Sequence, residues 1–401
     1  MKAKIVECVP NFSEGRDEAK IKAIADAIAA VPGAKLLHVD PGPGANRTVV
    51  TFIGTPEAVA EAAFRAIAKA AELIDMREHR GEHPRLGATD VCPFVPVEGV
   101  TLEECAAITR RVGRRVGEEL DIPVYFYEAA ATDPSRKNLA DVRRGEYEGL
   151  AEKLSDGFWT PDCGPAILNH RSGATIIGAR EFLIAFNITL NTRDKAAAAD
   201  IAYELRERGR VARRPAASPF YADGEALVYA EDHYPCGNCE FVGPTLESTE
   251  QHCRTAHGYE LRELAAHVIP SYPKVIGQNV RRAGEFKFCK AIGWYVEEYA
   301  RAQVSMNLTN YHVTPPHLVL ERARQLAADR GLAVTGSELV GMIPYAALLD
   351  AGKFYLARDR RSADIPPVEV LEVAINAMGL RDVRPFDVQE NVIGLPANLG
   401  R

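Results

Sequence analysis

The sequence has little that would take it into a membrane, through one, or onto a nucleic acid. No apolar run approaches the ~18–20 residues that a bilayer-spanning helix needs. The opening, MKAKIVECVPNFSEG, lacks the apolar core and small-residue cleavage site of a secretory signal. Aromatic residues are few, 14 Tyr, 14 Phe and 2 Trp, and show no clustering suited to stacking single strands. Basic residues are outnumbered, 48 Lys and Arg against 55 Asp and Glu, and a net charge of −7 argues against bulk nucleic-acid binding. Also missing are the Lys-Ser/Thr of a P-loop and the spacing of a dinucleotide fingerprint. The glycine-rich stretch 40–47, Asp-Pro-Gly-Pro-Gly-Ala-Asn-Arg, therefore reads as a hairpin connector. Eight cysteines stand mostly isolated in apolar surroundings, as expected of reduced, buried thiols in a cytoplasmic protein.

What is present is ordinary globular material, 47% hydrophobic and 26% charged, long enough for two or three compact units. Apolar periodicity predicts a strand at 5–9 and a helix at 18–30, with Ile21, Ile24, Ala25 and Ile28 on one side. Strands at 35–39 and 48–52, a helix at 56–74 and a strand at 91–96 complete the order βαββαβ. A helix at 102–120 and a strand at 123–128 follow. The order then recurs: strand 183–190, helix 193–208, strands 291–298 and 303–308, helix 316–330, and a last strand toward 340. The expected fold class is α+β, two βαββαβ subdomains, each an antiparallel sheet with helices on one face. The first spans 1–178 and the second 179–358, interrupted by an insertion at 218–285 and followed by a tail at 359–401. A cleft between two such sheets is a natural ligand site.

The stretch 80–96, Arg-Gly-Glu-His-Pro-Arg-Leu-Gly-Ala-Thr-Asp-Val-Cys-Pro-Phe-Val-Pro, carries the most chemistry. Its glycines and prolines mark a shaped loop. His83 suits proton transfer near neutral pH. Glu82 either orients that imidazole or faces solvent. Arg47 and Arg85 offer forked donors for carboxylates, or make surface ion pairs. Asn11 and Ser13 follow the first strand and either face a cleft or cap the next helix. Asp40 ends the next strand and either meets an N–H-bearing ligand or forms an Asx-turn.

Within the insertion, Cys236, Cys239, His252 and His257 form C-x2-C-x12-H-x4-H, the ligand spacing of a zinc finger. Four such ligands close a tetrahedron and leave no open position, so the expected Zn2+ is structural rather than hydrolytic. Phe241 and Leu246 would supply a small core that the metal supplements. Cys253 is an alternative to His252, and a chance cysteine pair in a polar loop is the competing reading.

Several segments, in one order, resemble a known family. They include Val6-Glu-Cys-Val-Pro-Asn-Phe-Ser-Glu-Gly, Gly81-Glu-His-Pro-Arg, Asp90-Val-Cys-Pro-Phe, Gly145-Glu-Tyr-Glu-Gly, Ala185-Phe-Asn, Gln303-Val-Ser and Gly336-Ser-Glu-Leu-Val-Gly. With others they cover about residues 3–217 and 286–358 and are similar to glutamate formiminotransferase, the folate-dependent enzyme of histidine breakdown. The resemblance implies transfer of a formimino group from N-formimino-L-glutamate to N5 of tetrahydrofolate. His83 matches the histidine of the family's Gly-Glu-His-Pro motif. It would act as a general acid of near-neutral pKa that protonates the departing glutamate nitrogen, contributing ~10²–10⁴ in rate.

Asn11, Asp40, Arg47 and Arg85 are the residues expected to hold the donor. Tetrahydrofolate is expected against the segment Gly164, Pro165, Ala166, Ile167, Leu168, Asn169, His170, Arg171, Ser172 and Gly173. Residues 169–172 depart from the animal enzyme's pattern, which has an aromatic residue there. His170 and Arg171 would then serve a polyglutamate tail, or Arg171 is a solvated linker residue. The partners implied are small-molecule substrates and a second copy of the chain in a homodimer. Two other readings remain: formyl transfer from N-formylglutamate, and a non-catalytic folate-binding regulator whose finger makes the interactions.

Overall fold

The computed structural model describes residues 4–81, 83–214, 224–266, 268–269 and 272–395. They form two compact units, Met1–Phe182 and Leu183–Arg401. In the first, β1 (Ile5–Cys8) and β2 (Asn11–Phe12) are one strand interrupted at Val9 and Pro10, since proline brings no N–H to a ladder. Asp17 caps α1 (Glu18–Ala29) by accepting from the backbone of Ala19 and Lys20. β3 (Ala34–Gly42) and β4 (Arg47–Gly54) make the expected hairpin. Thr55 caps α2 (Pro56–Leu73), whose first residue is a proline already set for helix. β5 (Thr89–Glu98) closes the βαββαβ unit. The strands lie in the order β3-β4-β1/β2-β5, all neighbours antiparallel.

The sheet is nevertheless mixed rather than antiparallel throughout. After α3 (Leu102–Leu120) come β6 (Val124–Glu128) and β7 (Thr175–Ala179), and β7 inserts between β5 and β6, parallel to both. A helical crossover returns the chain in the same direction, which is how parallel strands arise. Val6, Cys8, Val50, Phe52, Cys92 and Phe94 face the helices in one core. The opposite face is also covered at the parallel end, where Tyr125, Tyr127 and Ile176 pack with Val142, Leu150 and Leu154 of two short helices, Leu139–Val142 and Leu150–Ser155. Because side chains alternate along a strand, Val50 and Phe52 facing inward turn Arg47 and Val49 to the face without α1 and α2.

In the second unit, β8 (Ile184–Leu190), α4 (Lys195–Leu205), β9 (Cys289–Val296), β10 (Arg301–Leu308), α5 (Pro316–Ala328) and β11 (Val334–Val340) repeat the βαββαβ order. The sheet order β9-β10-β8-β11 is antiparallel throughout, and places second, third, first and fourth strands as in the first unit. The tail belongs to this unit. α6 (Tyr345–Arg358) is followed by α7 (Pro367–Met378), and Val392–Ile393 pairs in parallel with Ile343–Pro344.

Gly293 sets how closely α4 lies on β9. A Cβ built there would stand 2.1 Å from the Ala199 backbone nitrogen. Gly293→Ala should therefore cost about 1–3 kcal/mol through forced separation of helix and sheet. Urea unfolding should show a lower midpoint at unchanged slope; a midpoint equal to the parent's would mean the two elements part freely.

Candidate functional site

The helix-free face of the first sheet gathers one connected polar group. Asn11 lies opposite Val49 on β4 and Val91 on β5. Arg47, two residues before Val49, extends along the same face. Its Nε donates to Asn11 Oδ1 at 2.9 Å, a second nitrogen also reaches that oxygen, and Nη1 donates to Asp90 Oδ2 at 3.2 Å. Asn11 is itself fixed by donating to the Val9 carbonyl at 2.8 Å. Asp90 is 1% exposed and holds a second guanidinium: Arg143 donates to its two oxygens at 3.2 and 2.7 Å. The Leu86 N–H adds a third donor at 3.0 Å.

His83 rests against this group, with its two ring nitrogens 2.5 and 3.1 Å from Arg47 Nη1 and Nδ1 2.7 Å from the Pro84 carbonyl. Arginine can only donate and a carbonyl only accept. The arrangement that serves both puts the proton on Nδ1, toward Pro84, and leaves Nε2 to accept.

These contacts set the charges. Burial, then the Arg47 and Arg143 guanidinium groups, push His83 down to about 3, against the weaker pull of Asp90 and the Pro84 carbonyl. Burial lowers Arg47 to about 10, leaving it a cation. Burial works to raise Asp90, but Arg143, Arg47 and His83 together hold it below the usual carboxylate range. The site thus sets the imidazole beside fixed positive charge, in surroundings that lower its pKa, where the resemblance implied an acid of near-neutral pKa.

Other candidate residues lie differently. Asp40 is buried on β3, also opposite Val49. Ser13 donates to the Gly87 carbonyl at 2.7 Å, tying the strand end to the loop rather than capping α1. Arg85 turns its fork onto Glu148 at 2.7 and 2.6 Å, with Glu146 at 3.2 Å and His79 Nδ1 3.2 Å from its Nε, on the wall of an open hollow with Arg80 and Gly145. Glu82 falls outside the described residues.

The segment 164–173 runs along the surface, Ile167 being 72% exposed, and ends against the loop of His83. Asn169 Oδ1 accepts from the N–H groups of Arg171 and Ser172 at 3.2 and 3.0 Å. Arg171 donates to the Ala71 and Glu72 carbonyls, finishing α2, at 3.2 and 2.5 Å. Arg171 is thus an exposed linker residue whose guanidinium is engaged at the end of α2. His170 is exposed, and its carbonyl accepts from the Tyr147 hydroxyl at 2.6 Å. Gly173, at φ +66°, bridges to Gly87, and Ala88 N–H donates to the Ser172 carbonyl at 2.8 Å.

Asp90, Arg143 and Glu148 were missed as site residues from sequence. Asp90 opens the motif Asp-Val-Cys-Pro-Phe at the head of a strand otherwise buried, which was the available signal. Arg143 sits in a polar stretch with nothing to mark it.

In the second unit, Cys236, Cys239, His252 and His257 bring their ligand atoms within 4.8 Å of one another, the one such cluster among the described residues. A hairpin of Tyr234–Pro235 and Val242–Gly243 carries the cysteines, and the helix Leu246–His257 carries the histidines on one side. Cys239 Sγ lies 3.1 Å from His252 Nε2 and 3.3 Å from His257 Nε2, close to the ~3.5 Å edge of a tetrahedron with Zn–S ~2.3 Å and Zn–N ~2.0 Å. Phe241 stacks on His252 at 4.0 Å, and Cys253 lies behind, 3.9 Å from Cys236 and 3.2 Å from the Tyr259 hydroxyl.

The sequence model of a family described as "Formiminotransferase domain, N-terminal subdomain" matches residues 5–180, and that of "Formiminotransferase domain" matches 261–396, beginning inside the stretch expected as an insertion. The chain is 37% identical to a "Glutamate formimidoyltransferase" of Thermoplasma acidophilum over 88% of this chain and 92% of that one. It is 35% identical to the protein of that name in Streptococcus pyogenes serotype M1, over 88% and 94%. With a "Formimidoyltransferase-cyclodeaminase" of Rattus norvegicus it shares 41% over 98% of this chain, and spans 59% of that relative's length.

The His83 charge state gives a direct check. The unfolded imidazole takes a proton below about pH 6.5, and the folded one only near 3. Stability from this group is therefore complete above pH 6.5 and is lost as the pH falls toward 3. The His83 ring protons should hold their neutral NMR shifts at pH 5, and His83→Gln should flatten the acid side of the stability curve. A ring titrating near 6.5 in the free protein would overturn this electrostatic picture.

Proposed function

The chain belongs to the formiminotransferase family, and from that premise we propose that it moves the formimino group of N-formimino-L-glutamate to N5 of tetrahydrofolate, in histidine degradation. The observation that carries the reading is His83 packed against Arg47, itself locked by Asp90 and Asn11. Attack of N5 on the amidine carbon leaves the proton on N5 and requires one on the departing glutamate nitrogen. A neutral imidazole can accept the first and deliver the second, returning uncharged. His83 thus works as base before acid. Arg47, kept cationic and oriented by Asn11 and Asp90, is our candidate for a carboxylate of the donor. Arg85 and Asp40 remain candidates for the donor as well; for Arg85 this requires exchange of Glu148 for a substrate carboxylate. Residues 164–173 are our candidate folate contacts, their attachment to the His83 loop supporting that role. We place the enzyme in the cytoplasm as a homodimer.

The decisive assay gives the purified protein tetrahydrofolate with either formiminoglutamate or formylglutamate. The 5-formimino product is expected; 5-formyl-tetrahydrofolate alone would assign the formyl reading, and no product the non-catalytic one. His83→Gln should lower kcat by ~10²–10⁴ with KM little changed, because the proton relay matters in the transition state. Arg47→Ala should instead raise the donor KM. A kcat within a few-fold for His83→Gln would remove His83 from the chemistry.

We also propose one structural Zn2+ on Cys236, Cys239, His252 and His257. The gathering of the four ligand atoms within 4.8 Å of one another and the small core of Phe241, Leu246 and Leu261 support it. Elemental analysis should find one zinc per chain. Cys236→Ser with Cys239→Ser should lose it, along with helical signal, and leave transferase activity standing. Protein purified without chelators and holding no zinc would sink the site.

A further inference from the structure

The second unit buries a carboxylate with which no cation pairs among the described residues. Glu338, on β11, is 5% exposed. Its Oε1 accepts from Asn187 Nδ2 at 3.1 Å and Gln303 Nε2 at 3.2 Å, and its Oε2 from the Tyr299 hydroxyl at 3.1 Å. Among the described residues, no arginine, lysine or histidine forms an ion pair with it. Glutamates buried this deeply are ordinarily paired, because a charge facing only neutral donors is costly to desolvate.

Strand register explains what is missing. In the first unit Asn11 faces Val49 and Val91; in the second Asn187 faces Ser305 on β10 and Glu338 on β11. Gln303 precedes Ser305 by two residues, as Arg47 precedes Val49. The second unit therefore has a glutamine where the first has its arginine, and Glu338 one residue from the place of Asp90. Ala302, Val304 and Met306 are buried in the alternate positions, so Gln303 and Ser305 share the other face. In the first unit a cation is built in at this position; in the second, among the described residues, the carboxylate is kept and a neutral amide stands there.

The amide that replaces it is fixed. Gln303 Oε1 accepts from Trp294 Nε1 at 3.2 Å, and Nε2 donates to the Thr189 hydroxyl at 2.9 Å as well as to Glu338. Along the row from Glu338 through Asn187, burial relaxes at Ser305 and ends at Ile292, which is 56% exposed.

We propose that Glu338 is a ligand-binding carboxylate that receives a planar pair of N–H donors of amidine type. On the transferase reading above, on which this rests, two reactants carry that chemistry: the amidinium of the formimino donor, and the 2-amino-N3 edge of the reduced pterin. Oε2 retains acceptor capacity and Oε1 gains it when the incoming group takes the place of the Gln303 amide, and a charge-assisted, two-bond contact favours such a group over a neutral one.

Calorimetry with wild-type protein, tetrahydrofolate and formiminoglutamate, each alone, comes first. Glu338→Gln should then weaken one of the two by about tenfold or more and leave the other within twofold. Loss of tetrahydrofolate assigns the pterin edge; loss of the donor assigns the amidinium. Gln303→Arg gives a folded check, because it supplies the cation internally, as Arg47 does for Asp90. It should keep or raise Tm while weakening the same ligand as Glu338→Gln. Wild-type affinity for both ligands in both variants would overturn the assignment and leave the transferase reading intact. A wild-type chain that binds neither probe would fail the transferase reading, and this inference with it.

Discussion

The Asp90 carboxylate is the fixed point of the first unit's polar face. It is buried at the head of β5, holds Arg47 from one side and Arg143 from the other, and takes the Leu86 N–H as well. Two guanidinium groups brought that close repel one another, and only a carboxylate between them makes the arrangement stable. Everything else follows from it. Arg47 cannot swing away, so Asn11 keeps its contact; the loop is pinned at Leu86; and His83 is left in a place where burial, and then the adjoining positive charge, lower its pKa. Removing one partner of such a group leaves an unbalanced buried charge, so these residues act as a unit rather than as separate contributions.

The scaffold explains why the group sits where it does. In each βαββαβ unit, strand alternation sends one set of side chains to the helices and the other to the opposite face. The helix side is filled by Val, Ile, Phe, Ala and Cys and has no room for charge. The other face collects Asn, Arg, Thr, Gln and Glu. The same fold used twice gives two polar faces of related layout and different sign, one with an arginine at its centre and one with a glutamine. The two faces differ in those side chains, while the topology is common to both.

Much of this architecture was legible in the chain itself. The helices at 18–29 and 102–120 and the strands around the 40–47 connector show their periods plainly, and the repeated order is visible without knowing any partner strand. The mixed edge of the first sheet was not, because β7 comes some fifty residues after β6 in sequence and nothing local tells a strand which neighbour it will meet. At the site, His83, Arg47 and Asn11 stand out by type and by motif. The Arg143–Asp90 pair does not, being a long-range meeting of a loop arginine with a strand aspartate. Nor can sequence say that Arg85 is spent on Glu148 and Arg171 on the end of α2, or that the imidazole's surroundings lower its pKa. Charge state depends on what folding brings near, and residue type gives only its starting value.

The Gly87–Gly173 contact has a consequence for how the protein can move. A Cβ on Gly87 would stand 2.3 Å from the Ala174 carbonyl oxygen, and one on Gly173 2.4 Å from that of Leu86. Two stretches of chain about ninety residues apart are thereby held backbone to backbone, with no side chain between them to slide or flex. The loop bearing His83 and the segment ending at Gly173 therefore shift as one piece or not at all. Motion on one side is felt on the other at the scale of a single hydrogen bond, and the imidazole inherits the rigidity of a β-bridge rather than the freedom of a loop.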